Sequence, residues 1–408
     1  MKLHHTLLAA CTSLALAAPP ALAADPIKIG LLEDVSGDLA MIGLPKLHGS
    51  QLAVEEINKA GGIMGRQIEL IHLDPQGDNA RYQEFARRLL NRDKVDVLIG
   101  GITSASREAV RPIVGRTKTP YFYTNQYEGG VCDANMISMG AVPEQQFSTL
   151  LPYMVEKFGK KVYVVAADYN FGQISAEWNR KLVGEKGGTV VGEEFIPLGV
   201  SQFAQTIQNI QKAKPDWLLT INVGAAQDSF FEQAAAARLN LPMASSIKIM
   251  LGFEHKRFAP PALNNMHATA NWFEELNTPA AEDFKKRWHA KFPDEPYIND
   301  MGANAYNAIY MYKMLVETAK STELADLRKV IATGKACIQA GEGEVCIDPK
   351  SQHTSHDMRL ISVDEKHQVH IDKDYGVIQP YWLPEIGCDL TKHNDRKQYT
   401  PTDLPKKS

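Results

Sequence analysis

The sequence predicts an α/β protein of two parallel-sheet domains with a cleft between them. Three observations predict it. Short apolar runs alternate with helix-period segments. That rhythm runs once from Ile27 to Thr124 and restarts at Lys160. The apolar runs of both series end in polar residues, where open parallel sheets bind ligands.

The first series places strands at Ile27–Leu32, Ile68–Leu73, Val95–Ile99 and Tyr121–Thr124. A helix across Pro45–Ala60 ends in Gly61-Gly62. In "NARYQEFARRLLNRD", Tyr82, Phe85, Ala86, Leu89 and Leu90 fall on one helical face. Ser104–Lys118 reads as the next helix. The second series runs strand Lys160–Tyr169, helix "GQISAEWNRKLVGEKGG", strand "TVVGEEFIP", helix "SQFAQTIQNIQKAKP" and strand "DWLLTIN". Phe203, Ile207 and Ile210 keep helical spacing in the second of those helices. Long helices follow from about Pro279, then a cysteine-flanked hairpin and the strand-like "MRLISVD" and "HQVHID". The tail from about Gln379 is rich in Pro, Lys and Asp and is expected at the surface.

With 408 residues, two domains are the default. The chain is 44% hydrophobic and 23% charged, an ordinary globular balance. A net charge of −4 gives no reason to expect a nucleic-acid partner. Residues 1–23 combine Lys2, the apolar run Leu7–Ala18 and the A-x-A site Ala21-Leu22-Ala23, which reads as a secretory signal peptide. No later run is long and apolar enough to span a membrane.

Export permits disulfides. Cys11 leaves with the leader, and Cys132, Cys337, Cys346 and Cys388 remain, with three pairings open. "CIQAGEGEVC" places Cys337 and Cys346 on either side of a Gly-Glu-Gly turn, so a hairpin would join them. Cys132–Cys388 then follows by elimination. No CxxC spacing points to zinc or redox chemistry.

Catalytic signatures are absent: no G-x-S-x-G, Walker loop, G-x-G-x-x-G after a strand or H-E-x-x-H. His353 and His356 lie in "SQHTSHD", which reads as a solvated polar loop rather than a metal site. Asp34 and Asp38 read as turn and cap residues. The strand ends instead carry neutral hydrogen-bonding groups: Thr103, Ser104, Ser106, Tyr123, Asn125, Gln126, Tyr127, Tyr169, Asn170 and Asn222. Such groups beside aromatic walls suit a small polar ligand held reversibly. Arg107 stands where a capping box would need Glu or Gln, which favours a ligand at the amides of the Ser104 helix.

"IKIGLLEDVSGDLAMIG", "AVEEINKAGGIMGRQIELIHLDPQGD" and "GGITSASREAVRPIV" resemble type I periplasmic solute-binding proteins of the branched-chain amino acid class. "TSASR", "QYEG", "PEQQ", "DYNFG", "EEFIPLG" and "IDPKSQHT" resemble its urea and short-chain amide branch. The resemblance implies two Rossmann-like lobes joined by three crossovers and closing by a hinge. Lobe one would be 25–144 plus 274–345, lobe two 145–273 plus 346–378, and 379–408 a tail packed on lobe one. Ser104 falls on the serine that meets an amide ligand, Tyr123 and Asn125 on pocket-lining positions, and Tyr169 on the tyrosine that closes over the ligand. Where relatives carry an acidic stretch, this chain has "SSIKIMLGFEHKRF", with Lys248 near the acid's place. A carboxylated ligand is one reading of that cation; an outward-facing lysine is the other.

The expectation is a monomeric periplasmic receptor, without cofactor or metal, that hands urea, a short-chain amide or an amino-acid-like solute to an ABC permease. A ligand sensor for a membrane receptor is the alternative. A secreted amide hydrolase lacks the nucleophile and base it would need.

Overall fold

The computed structural model describes residues 25–245, 254–295, 297–394 and 396–404. The first sheet contains β1 (Ile27–Leu32), β2 (Ile68–Leu73), β3 (Val97–Gly100) and β4 (Tyr121–Tyr123). After the short β5 (Val131–Cys132), β6 (Met136–Ser138) completes it, in the order β2-β1-β3-β4-β6. All its pairings are parallel. β1 buries both faces, as a strand between two helical layers must.

The second sheet begins with β7 (Lys161–Ala167), β8 (Thr189–Ile196), β9 (Trp217–Ile221), β10 (Met243–Ser245) and β11 (Met266–Ala270). These pair in parallel. The chain then returns to the first lobe, where β12 (Cys337–Ala340) and β13 (Gly343–Cys346) form the expected hairpin. It crosses back to add β14 (His356–Val363) and β15 (Val369–Ile378) antiparallel to the edge, giving β15-β14-β11-β10-β9-β7-β8. None of the described helices is long and apolar enough to cross a membrane.

Most elements fall where periodicity placed them, and the differences have local causes. The helix expected across Pro45–Ala60 spans Ala40–Lys59, because a 3-10 turn at Gly37–Leu39 leads into it and Pro45 lies inside. The helix expected across Ser104–Lys118 ends at Val114. Asp34, read as a turn residue, accepts from the Tyr82 hydroxyl and the Gly77 N–H, both at 2.8 Å.

"SQHTSHD" is not a solvated loop. Ser351 through His356 are buried in a crossover between the lobes. Their polar groups satisfy main chain that no sheet covers. Gln352 Nε2 donates to the carbonyls of Ala134 and Met136. His353 meets the Tyr127 hydroxyl, and burial holds its imidazole down to about 4. His356 bonds Glu342 at 2.9 Å and Thr354 at 2.9 Å.

Both disulfides are formed, Cys132–Cys388 and Cys337–Cys346. The first fastens the tail to the β5 segment, where β16 (Lys397–Gln398) pairs with β5. The tail also reaches the other lobe: the Trp382 ring packs edge-on to Trp178, with centroids 5.1 Å apart.

Candidate functional site

The two sheets point their carboxyl ends at one cleft. β3 must turn sharply to open it. Gly100 and Gly101 have φ of +114° and +88°, and a Cβ on Gly100 would lie 2.3 Å from the Leu32 carbonyl oxygen. The Gly101 carbonyl accepts from Lys46 Nζ at 2.7 Å, and Lys46 pairs with Glu33 at 2.8 Å. Burial pushes Glu33 up to about 8 against the pull of Lys46, and pushes Lys46 down. A buried pair thus pins the turn from which the next helix starts.

The turn leads through Thr103 into the helix Ser104–Val114. Thr103 is its cap: Oγ1 accepts from the Ser106 N–H at 3.0 Å, and Ser106 Oγ donates back to the Thr103 carbonyl at 2.8 Å. Ser106 thus spends its hydroxyl proton, and Thr103 one acceptor site, on each other's backbone. The N–H groups of Ser104 and Ala105 have no acceptor within the helix.

Ser104 lines the cleft with Asn125, Gln126 and, from the other lobe, Tyr169. Ile42, Ile102, Phe171, Val223 and Met301 supply apolar walls. As the lobes stand, the cavity between them is about 20 Å³, room for about one water molecule. The lobes touch here. Leu39, Ile42, Ile102 and Met301 share one hydrophobic cluster with Phe171 and Val223. Gly224, at φ +64°, brings its backbone so near Asp38 that a Cβ would sit 2.9 Å from the Asp38 carbonyl oxygen.

The remaining sequence candidates divide. Tyr123 is fully buried and donates to the Ile102 carbonyl at 2.8 Å. Burial raises its phenol above the usual range, as it does that of Tyr169, which Tyr123 also influences. Asn125 Nδ2 donates to the same Ile102 carbonyl at 2.7 Å. A carbonyl can only accept, so the amide orientation is fixed and Oδ1 is the free end. That oxygen is buried without a partner among the described residues. Asn222, just past β9, is 1% exposed, and neither atom of its amide has a partner among the described residues. Tyr169 and Asn170 begin the helix Asn170–Glu185. Tyr127 stacks on His353 and does not line the cavity. Lys248 lies outside the described residues.

Sequence reasoning missed the apolar wall. Ile42 and Met301 come from helices remote in sequence, and no strand-end signal marks them. It also missed Glu128, which accepts from Ser104 Oγ at 2.5 Å and from Arg107 Nη2 at 2.8 Å. The Cys337, Glu344 and Cys346 side chains cluster closely, but both cysteines are spent in the disulfide.

Comparison with known proteins places this geometry. Residues 26–368 match the periplasmic binding protein family. A Leu/Ile/Val-binding protein homolog 7 of Brucella suis is 27% identical over 246 residues, 57% of this chain and 61% of that protein. The chain thus matches under two thirds of that relative's length. A solute-binding protein from R. palustris in complex with 4-hydroxybenzoate superposes with TM-score 0.77 at 19% identity, covering 88% of this chain and 99% of that one. A branched-chain amino acid transporter substrate binding protein from Streptococcus pneumoniae, in complex with isoleucine, gives 0.74 at 20%, covering 87% and 100%. The family is one of binding proteins, not enzymes. With the match running through both sheets and both sides of the cleft, the chain belongs to the periplasmic binding protein family.

Proposed function

We propose that this protein captures a small solute carrying both N–H donors and a carbonyl or carboxylate, and delivers it to an ABC importer from the periplasm. The observation that carries the ligand class is Asn125. Its Nδ2 is committed to Ile102, so it offers the cleft only an acceptor. A buried acceptor left unmade is costly, and a ligand N–H relieves that cost. The free amides of Ser104 and Ala105 provide the complementary donors for a carbonyl or carboxylate. Asn222 does not itself line the cavity, but it adjoins Val223, which does, and its unpaired amide can serve either polarity. Ile42, Phe171 and Met301 offer apolar contact to the rest of a small solute once the lobes part to admit it. Urea, a short-chain amide or a small amino-acid-like compound meets all these demands. Such receptors close by hinge motion, and the joined walls of the cleft fit the closed form.

A thermal-shift screen tests this, since a ligand bound only by the native state raises the melting temperature. Urea, acetamide, propionamide and small amino acids are expected to raise it. If only benzoate-type carboxylates, which lack N–H donors, raise it, the reading is wrong.

A further inference from the structure

Resting on that reading of the cleft, we propose that Glu128 is a specificity-determining positioning residue. Its carboxylate accepts the Ser104 hydrogen bond and thereby leaves the Ser104 hydroxyl an acceptor toward the ligand.

Glu128 is wholly buried, as is Arg107. Its two oxygens are used differently. Oε1 accepts from Arg107 Nη2 at 2.8 Å and from Gln398 Nε2 of the tail at 2.5 Å. Oε2 accepts from Ser104 Oγ. A hydroxyl has one proton and two lone pairs. The Ser104 proton is spent on Glu128, and Arg107 Nη1 donates to the Ser104 oxygen at 3.2 Å. One lone pair remains, on a side chain that lines the cleft and that the buried Tyr123 hydroxyl also reaches. Ser104 can therefore receive an N–H but has nothing to donate. Asn125 is locked into the same polarity by Ile102. The first lobe thus presents two side-chain acceptors, and both select against a ligand with acceptors at those points.

The support around Glu128 is built from distant parts of the chain. The Arg107 guanidinium lies over the rings of Tyr127 and Tyr123, 4.4 and 5.2 Å from their centroids. Its Nε is held by Glu108, which also pairs with Arg111. Gln398 bonds the Gly129 carbonyl as well as Glu128. The Trp178 indole, from the other lobe, donates to the Glu128 carbonyl at 3.3 Å. The disulfide-anchored tail is therefore part of the apparatus that sets Ser104.

The test compares acetamide, which brings N–H donors, with acetate, which brings only acceptors. Glu128→Gln is the decisive variant. The new amide would turn its oxygen to Arg107 and Gln398 and its NH₂ to Ser104, freeing the Ser104 proton for the ligand. The preference for acetamide over acetate should fall by about tenfold or more, the usual consequence of reversing one buried hydrogen bond. Ser104→Ala keeps the Glu128–Arg107 pair and carries the test if Glu128→Gln does not fold. It should weaken acetamide and leave acetate unchanged. An unchanged preference in a folded Glu128→Gln protein, or equal losses for both probes in Ser104→Ala, overturns the role of Glu128. If neither probe nor urea shifts the wild-type melting temperature, the cleft reading itself falls.

Discussion

The Trp178 indole of the second lobe donates to the Glu128 carbonyl of the first, 3.3 Å away. The helix that carries Trp178 begins at Asn170, directly after Tyr169. One helix thus meets the first lobe at two points. Trp178 meets the loop that holds Ser104, and Tyr169 meets the cavity itself.

Tyr169→Ala should weaken solute binding by about 1–3 kcal/mol, through lost ring burial and a hydrogen bond left unmade. Stability without ligand should change less, because Tyr169 is only half-buried even with the lobes together. Isothermal titration beside an unfolding curve measures both. A large loss of stability at unchanged affinity would make Tyr169 a core residue.

Asn222→Leu separates binding from folding. The native amide is buried with both atoms unpaired among the described residues. Removing it should leave the ligand-free protein as stable, or up to about 1 kcal/mol more stable. The melting-temperature rise on adding acetamide should disappear. A destabilised ligand-free protein would show that the amide serves the fold.

Glu144 gives a stability change with a defined sign. It is 3% exposed, and burial pushes it up to about 8, although the Trp382 N–H bonds its carboxyl at 2.9 Å. The folded state thus holds this proton more tightly than the unfolded chain does. The contribution is complete below the unfolded value of 4.5 and is lost as pH rises through about 8. Its slope between those values is at most about 1.4 kcal/mol per pH unit. Glu144→Gln should match the wild type near the acid end and gain on it steadily toward pH 8. Parallel urea-unfolding series across that window would reveal the divergence; identical pH profiles would count against it.

Cys388→Ser should destabilise the protein more than Cys337→Ser. The Cys132–Cys388 bond spans 256 residues, whereas Cys337–Cys346 spans 9, and a longer closed loop restricts the unfolded chain more. The expected loss for Cys388→Ser is about 2–4 kcal/mol. Non-reducing peptide maps of the parent protein should first yield both linked pairs.

Much of this protein was legible in one dimension. Apolar periodicity is a local property, so β1, β2 and the strands of the second series could be read directly. Strand direction then placed Ser104, Asn125 and Tyr169 at the open ends of parallel sheets, and all three line the cleft. The Cys337–Cys346 pairing followed from a hairpin only a few residues long. Tertiary structure decided what those side chains can do. Ser104 reads in sequence as a neutral ligand contact able to donate or accept, yet Glu128 occupies its one hydrogen-bond donor, and the helix cap is Thr103. "SQHTSHD" is polar enough for solvent, yet it is buried, because the crossover main chain beneath the sheets needs those polar groups. Met301 and Ile42 meet Phe171 and Val223 across the two lobes. Periodicity depends on neighbours along the chain; burial and the spending of a proton depend on neighbours in space.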